Sequence, residues 1–147
     1  MSKINSTTAE AEEHMGDNLQ VLVIEDNDID LLLATKLIQL ADSSVEIHHC
    51  ENGEVAINHL NEGHQYDVVL LDLNMPVMTG LEFLQEKEHF HILNDTPIVV
   101  LSSSVDERDM VRCKELKANH YIEKPLSLSK AKEILALCTA TPSLANQ

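Results

Sequence analysis

Charged side chains stand directly after short aliphatic runs at several places in this 147-residue sequence. Glu25 and Asp26 follow VLVI, and Asp72 follows VVLL. Carboxylates that share one small crevice repel one another unless a cation lies among them. Oxygen ligands without His or Cys favour a hard ion, so these three residues could bind Mg²⁺ or Mn²⁺.

Two further side chains would complete the chemistry of such a site. Ser102 follows the run IVVL and offers a hydroxyl, and Lys124 comes shortly after HYI and offers a mobile positive charge. A metal ion, a lysine and a hydroxyl around one carboxylate can bind a tetrahedral oxyanion, as phosphoryl transfer requires. Because a carboxylate can itself be the nucleophile, Asp72 is a candidate phosphoacceptor. Taken alone, Asp72 would be better explained as a solvated residue at a strand end.

These side chains can meet only if the aliphatic runs are neighbouring strands. Continuous β-branched runs such as 21–24, 68–71 and 98–101 are typical of parallel strands that are covered on both faces. The more polar segments 45–50 and 120–122 fit edge strands. Helical patterns fill the intervals, over residues 29–40, 53–60, 81–87, 105–116 and 128–137. The alternation predicts an α/β fold with a doubly wound parallel sheet, whose functional crevice lies at the carboxyl ends of the strands.

The local sequence also predicts both ends of the fourth helix. Ser104 and Glu107 have the spacing of a capping box, with Ser104 as the N-cap residue. Asn119 tolerates the left-handed conformation in which many helices end. We therefore expect this helix to begin after Ser104 and to end before Asn119.

The net charge of −15 comes from 25 acidic and 10 basic residues. Because nucleic acids and anionic membranes are polyanions, we expect no direct binding to either. The acidic excess is concentrated in residues 19–104, whereas residues 105–138 carry seven basic and six acidic side chains. This near-neutral segment could be a docking surface for a partner protein. Its basic residues could equally form an ordinary solvated helix face: Arg108, Arg112, Lys114 and Lys117.

Polar segments without periodicity flank about 120 residues that contain no long linker. We predict a flexible N-terminal tail over 1–18, one domain over 19–138 and a flexible C-terminal tail over 139–147. No apolar run of about 18 residues occurs, and the start lacks the apolar region of a signal peptide, so we expect no membrane segment. The three cysteines form no CxxC pair, which fits reduced thiols in a cytoplasmic protein.

In these residues the sequence resembles the receiver domain of two-component response regulators. The resemblance extends over roughly 19–138 and rests on several motifs in the family's order. These are the acidic pair after VLVI, LLDLNMPVMTG around Asp72, Ser102 after IVVL, and YIEKP around Lys124. The resemblance implies a flavodoxin-like sheet of five parallel strands in the order 2-1-3-4-5, with helices on both faces.

The resemblance also implies a role for each residue around a metal ion. Asp72 would be the phosphoacceptor, and Asp26 and Asp72 would be direct ligands of Mg²⁺ or Mn²⁺. Asn74 would add its backbone carbonyl, while Glu25 would act chiefly through metal-bound water.

Three further residues would act on the phosphoryl group. Lys124 would bind a phosphoryl oxygen, Ser102 would move to bond the phosphoryl group, and Tyr121 would turn inward behind it. Tyr121 could instead simply pack at the end of an edge strand. The Lys124–Pro125 peptide bond would be cis, as in the family. This chain departs from the family in having Thr79 where Asp is common, and Ser102 where Thr is commoner.

The implied function is that of a stand-alone receiver, a signalling protein rather than an enzyme with a separate substrate. A histidine kinase or a histidine phosphotransfer protein would supply the phosphoryl group. The output would pass to an unknown downstream protein through residues 105–126, from a monomer or a phosphorylation-dependent dimer. An intermediate carrier in a phosphorelay remains an alternative. An aspartyl-phosphate phosphohydrolase is less well supported, because haloacid-dehalogenase-type phosphatases have a second Asp where this chain has Asn74.

The eight histidines do not predict a metal site. His48 and His49 are adjacent on a predicted strand, so their side chains should point to opposite faces. Neither this pair nor His89 and His91 has an acidic or Cys partner at ligand spacing. We therefore interpret both pairs as solvated surface residues.

Overall fold

The structure is a computed structural model that describes residues 18–75, 77–104, 106–118 and 120–145, with the backbone alone for residues 139–145. The described residues form five parallel strands: β1 (Gln20–Ile24), β2 (Glu46–Cys50), β3 (Val68–Asp72), β4 (Ile98–Ser102) and β5 (His120–Glu123). These strands build one sheet in the order β2-β1-β3-β4-β5. The α/β fold and the strand order expected from the sequence are confirmed.

Helices cover both faces of the sheet. In the described part of the chain they are α1 (Asp28–Ala41), α2 (Gly53–Asn61), α3 (Gly80–His89), α4 (Glu107–Glu115) and α5 (Leu128–Ala145). Leu22 of β1 belongs to a buried cluster with Phe83 and other residues of α2, α3 and α4. The neighbouring Val21 belongs to a second cluster with Ile38 of α1 and Ile134 of α5. The strands read as continuous aliphatic runs because successive side chains enter two different apolar layers.

The central strands are more deeply buried than the edge strands. Every residue of β3 and β4 is buried, including Asp72 and Ser102 at their carboxyl ends. The strands β2 and β5 are only partly buried, as expected for the edges of a sheet. Asp72 and Ser102 are therefore carried by strands that are packed on both faces.

The structure corrects the predicted start of α4. The helix begins at Glu107, and Asp106 is its N-cap residue, with a side chain that accepts from the Arg108 N–H group. The capping box that begins at Ser104 is wrong, because the backbone N–H and carbonyl of Ser104 bind the hydroxyl of Ser102 instead. The left-handed residue after the helix is Lys117, at φ 75°. The predicted capping residue Asn119, like Val105, lies outside the described residues.

The last helix is longer than the sequence predicted. Helix α5 continues to Ala145, whereas the predicted helix ended at residue 137 and a flexible tail was predicted over 139–147. Residues 128–141 include neither Gly nor Pro, so the helix has no local reason to end before Pro142, and the structure continues it past that residue. The tail predicted over 1–18 lies outside the described residues except for Asn18, and Pro76 of the central motif also lies outside them.

A tight turn joins the end of β3 to the start of α3. The N–H group of Gly80 donates to the Leu73 carbonyl over 3.0 Å. A Cβ atom on Gly80 would lie 2.7 Å from the Leu73 Cα atom and 2.8 Å from the Asp72 carbonyl oxygen. Thr79 and Glu82 form a complete capping box at this helix start. Gly80 and Thr79 thus hold the turn that follows Asp72. Thr79, where the resemblance leads one to expect Asp, caps helix α3.

Gly80→Ala should lower the free energy of unfolding by about 1–3 kcal/mol, because the added methyl group meets backbone atoms that cannot move aside. Urea denaturation measures this change. Gly53→Ala is the matched control, since Gly53 also begins a helix and its added Cβ would lie 2.9 Å from the flexible Met78 side chain. Equal denaturation midpoints for the wild type and Gly80→Ala would contradict the close approach.

Candidate functional site

The carboxyl ends of four neighbouring strands bring the predicted site residues together. The strands β1, β3, β4 and β5 are adjacent in the sheet, and all run in the same direction. Glu25 follows β1, Asp72 ends β3, Ser102 ends β4 and Lys124 follows β5. The N–H group of Lys124 donates to the Ser102 carbonyl over 2.7 Å, which extends the pairing of the two last strands. The Lys124–Pro125 peptide bond is cis, as the resemblance implied.

The ammonium group of Lys124 lies among three carboxylates. Its Nζ atom is 3.3 Å from Oδ1 of Asp72 and 3.2 Å from Oε1 of Glu25. The shortest contact, 2.8 Å, is to Oδ2 of Asp30. Burial lowers the pKa of Lys124, but the hydrogen bond with Asp30 and the charges of Asp72 and Glu25 outweigh it, so the pKa lies above its ordinary value. Lys124 therefore stays charged, and its positive charge is shared among the three carboxylates.

Asp30 was not among the site residues predicted from the sequence. This residue lies in the first turn of α1, four residues after Asp26, and its side chain is 37% exposed. The start of α1 is set by Asn27, whose side chain accepts from the N–H groups of Ile29 and Asp30. A helix that begins at the carboxyl end of a strand places its first turn beside the same crevice. That rule could have identified Asp30 as a candidate.

Glu25, Asp26 and Asp72 form an acidic cluster whose ligand oxygens lie within 4.8 Å of one another. Glu25 and Asp72 are buried, while Asp26 is exposed to solvent. Burial and the negative charge of Asp72 raise the pKa of Glu25 to about 7, although Lys124 and the Asn27 N–H group act in the opposite direction. A divalent cation would relieve this repulsion. The oxygen donors and the solvent-exposed side of the cluster fit Mg²⁺ or Mn²⁺.

Glu25 and Asn74 occupy positions that bear on their predicted metal roles. Both carboxylate oxygens of Glu25 have protein partners, because Oε1 accepts from Lys124 and Oε2 accepts from the Asn27 N–H group. This arrangement suits the predicted contact through water rather than a direct bond. The N–H group of Asn74 points toward Asp72 Oδ1, at 3.3 Å. The Asn74 carbonyl as a metal ligand remains a prediction.

Ser102 and Tyr121 meet at one backbone carbonyl. The buried Ser102 hydroxyl donates to the Ser104 carbonyl over 2.9 Å and lies 3.4 Å from the Asn74 side-chain oxygen. The Tyr121 hydroxyl donates to the same Ser104 carbonyl over 3.2 Å. Burial raises the pKa of Tyr121, and its hydrogen bond with Ser102 lowers it in part. The loop after β4 therefore connects the buried Ser102 to the partly exposed Tyr121 through hydrogen bonds to one carbonyl.

Comparison with known proteins decides the family. Residues 21–136 match the family model described as the response regulator receiver domain. The chain belongs to this family. The two-component response regulator ORR41 of Oryza sativa is 34% identical over 119 residues, which is 80% of this chain and 92% of that protein. A solved two-component response regulator from Cytophaga hutchinsonii is 29% identical and superposes with a TM-score of 0.74, covering 84% of this chain and 97% of that chain.

Receiver domains also occur within longer relatives. A protein-glutamate methylesterase/protein-glutamine glutaminase of Treponema pallidum is 34% identical over 117 residues, which is 78% of this chain. The chain spans only 28% of the length of that relative. The match therefore concerns the receiver domain and does not extend to the activity in the relative's name.

The receiver exposes apolar and basic side chains beside Tyr121. Met110 and Val111 of α4 are 37% and 56% exposed. With Lys114 and Tyr121 they line a groove of about 430 Å³. This groove thus has an apolar centre, and its lining also carries one acidic side chain, Glu107, and one basic side chain, Lys114. Within the described residues, no helix combines the length and the apolar character that crossing a membrane requires.

Three of the histidines considered above as possible metal ligands each contact a different protein group. His48 Nε2 lies 2.9 Å from the Gln20 side-chain oxygen, and His49 Nε2 lies 2.7 Å from the Glu25 carbonyl. The ring of His89 packs edge-on against Phe90. Neither pair belongs to a group of three potential metal ligands among the residues that the structure describes.

Mg²⁺ should raise the thermal midpoint of the receiver, because a cation that binds only the folded state stabilises it. The gain should be about 1.4–2.7 kcal/mol when free Mg²⁺ exceeds its Kd by about 10- to 100-fold. Asp26→Asn should abolish most of this gain. Asp28→Asn, which removes the same charge outside the cluster, should retain it. A thermal midpoint that is the same with and without millimolar Mg²⁺ would contradict the metal site.

Proposed function

We propose that this receiver accepts a phosphoryl group on Asp72 from a phosphohistidine and signals through contacts that depend on phosphorylation. The donor would be a histidine kinase or a histidine phosphotransfer protein. The observation that carries the proposal is the buried Asp72 carboxylate, which lies 3.3 Å from Lys124 and within the acidic cluster. We propose that this site catalyses its own phosphorylation and the later hydrolysis of the acyl phosphate, in which water attacks phosphorus and the Asp72 carboxylate leaves.

In the proposed transfer, one Asp72 oxygen attacks phosphorus and forms an O–P bond. The N–P bond of the donor phosphohistidine breaks, and the imidazole departs with the bonding pair. Asp26 and Asp72 would hold Mg²⁺ directly, with the Asn74 carbonyl and with Glu25 through water. Bound Mg²⁺ would neutralise part of the charge on the transferred group. The residues of the chain supply the nucleophile and the surrounding charges.

The new phosphoryl dianion would redistribute the groups around Asp72. Lys124 would move from shared carboxylate contacts to a phosphoryl oxygen, and the Ser102 hydroxyl would turn away from the Ser104 carbonyl. Tyr121 donates to that same carbonyl, so its position would change with the loop. The phosphoryl contacts would thus favour one of two existing arrangements.

Two surfaces support partner binding on either side of the site. The downstream partner would bind the α4 surface with Met110 and Val111, within the region 105–126. The phosphodonor must cover the crevice itself, and the adjacent helix α1 exposes apolar side chains that a helical donor protein could pack against: Ile29, Leu32, Leu33 and Leu40. Such contacts would let an acidic receiver bind a donor without depending on charge alone.

We further propose a cytoplasmic location, where histidine kinases expose their phosphohistidine. All three cysteines of the chain are buried and have free thiols, which fits a reducing compartment. In the cytoplasm, this receiver could act either as the last protein of its pathway or as an intermediate carrier in a phosphorelay.

Incubation with acetyl phosphate and Mg²⁺ should add one phosphoryl group to the wild type and none to Asp72→Asn. Intact-mass measurement detects the added group, and its loss on hydroxylamine treatment identifies an acyl phosphate. Asp95→Asn, an exposed aspartate in the loop before β4, is the control and should be labelled like the wild type. Equal labelling of Asp72→Asn would contradict the proposed acceptor.

Asp30→Asn should accelerate labelling by acetyl phosphate about 2- to 5-fold. Asp30 competes with the incoming phosphoryl group for Lys124, and a partly exposed ion pair is worth about 0.5–1 kcal/mol. Asp28→Asn removes an equal charge from the same helix turn, and Asp28 makes no ion pair with Lys124 among the described contacts. The expected order is Asp30→Asn faster than both Asp28→Asn and the wild type. Equal rates for the two variants would show that only general repulsion is involved.

A further inference from the structure

A second group of potential metal ligands lies away from the Asp72 site. His59 in the last turn of α2 and two residues of the following loop, Glu62 and His64, bring their ligand atoms within 4.8 Å of one another. Nε2 of His64 is 3.5 Å from Oε1 of Glu62. The rings of His59 and His64 are stacked, with centroids 4.0 Å apart and an interplanar angle of 9°.

The loop has the backbone geometry that folds His64 over His59. Gly63 has φ +103°, in the region that favours glycine, and a Cβ atom there would meet no other group within 4 Å. The N–H groups of Glu62 and Gly63 close the end of α2 by donating to the carbonyls of His59 and Leu60. A tight turn at Gly63 therefore returns the chain toward the helix that carries His59.

The donor atoms of this cluster differ in kind from those around Asp72. Two imidazoles and one carboxylate suit Zn²⁺ and related borderline ions, whereas the oxygen-only cluster suits Mg²⁺. We propose that His59, Glu62 and His64 bind Zn²⁺, with water at the remaining coordination position.

Zinc binding requires only a small movement of one side chain. The two rings are parallel, so one must turn for both nitrogens to point at a shared ion. The His64 side chain is 50% exposed and the Glu62 side chain is 69% exposed, so both can adjust without disturbing the core. His59 is held in place, because its Nε2 is hydrogen-bonded to the Tyr66 hydroxyl. Tyr66 thus resembles the outer partner that commonly orients a histidine ligand, leaving the other ring nitrogen for the ion.

The proposed zinc site is separate from phosphoryl chemistry. Glu62 and His64 precede β3, whereas Asp72 is the last residue of that strand. A strand of five residues separates its two ends by about 13 Å. Zinc should therefore stabilise the fold and leave the labelling of Asp72 unchanged, and the proposal does not depend on the function proposed above.

Isothermal titration with ZnCl₂, in millimolar Mg²⁺ to occupy the acidic cluster, tests the site. The wild type should bind one Zn²⁺, and His64→Gln should bind it about 10-fold more weakly or worse. His59→Gln should show the same loss, and the exposed His64 keeps the test valid if His59→Gln unfolds. His89→Gln, a histidine outside the cluster, should bind like the wild type. Unchanged affinity in His64→Gln, or an equal loss in His89→Gln, would overturn the proposal.

A spectroscopic readout identifies the ligands directly. In ¹⁵N-resolved NMR spectra, the imidazole signals of His59 and His64 should shift on addition of one equivalent of Zn²⁺, while that of His89 stays in place. The thermal midpoint should rise with Zn²⁺ in the wild type and not in His64→Gln. Imidazole shifts confined to histidines other than His59 and His64 would refute the assignment.

Discussion

The position of one ammonium group governs the site of this receiver. Lys124 lies 2.8–3.3 Å from the carboxylates of Asp30, Glu25 and Asp72, two of which are buried. A buried carboxylate without a positive partner is strongly unfavourable, so the site depends on Lys124 before any metal ion or phosphoryl group arrives. One positive charge cannot satisfy three negative charges. The remaining negative charge would favour a bound cation, and it would let Lys124 exchange one carboxylate partner for another.

The fold holds these charged groups at the carboxyl edge of the sheet. The strands β1, β3 and β4 are packed between two apolar layers, so their carboxyl ends have little freedom. The turn after Asp72 is fixed by Gly80 and by the capping box of Thr79 and Glu82. In contrast, the loop after β4 depends on hydrogen bonds to the Ser104 carbonyl from Ser102 and Tyr121. Packed strands beside a loop held by two hydrogen bonds would suit the phosphorylation switch proposed above.

The sequence predicted the scaffold well because buried parallel strands have an unmistakable pattern. The runs before Glu25, Asp72 and Ser102 showed where the strands end, and parallel pairing brought those ends together. Asp30 was not predicted because its ion pair with Lys124 joins residues 94 positions apart and depends on where α1 begins. The capping box at Ser104 was wrong because the backbone of Ser104 bonds the hydroxyl of Ser102, two residues earlier, and Asp106 caps the helix instead. The first error thus came from a long-range contact and the second from a competing local one.

A crystal structure with Mg²⁺ and beryllofluoride, a mimic of the phosphoryl group, would show which groups Lys124 contacts once Asp72 is occupied. Beryllium should be bonded to an Asp72 carboxylate oxygen, with Mg²⁺ beside Asp26 and Asp72. The Lys124 Nζ atom should bind a fluoride and should have left its contact with Asp30, which is 2.8 Å without the mimic. Beryllofluoride bound at another residue, or Lys124 still paired with Asp30 and without a fluoride contact, would contradict the proposed mechanism.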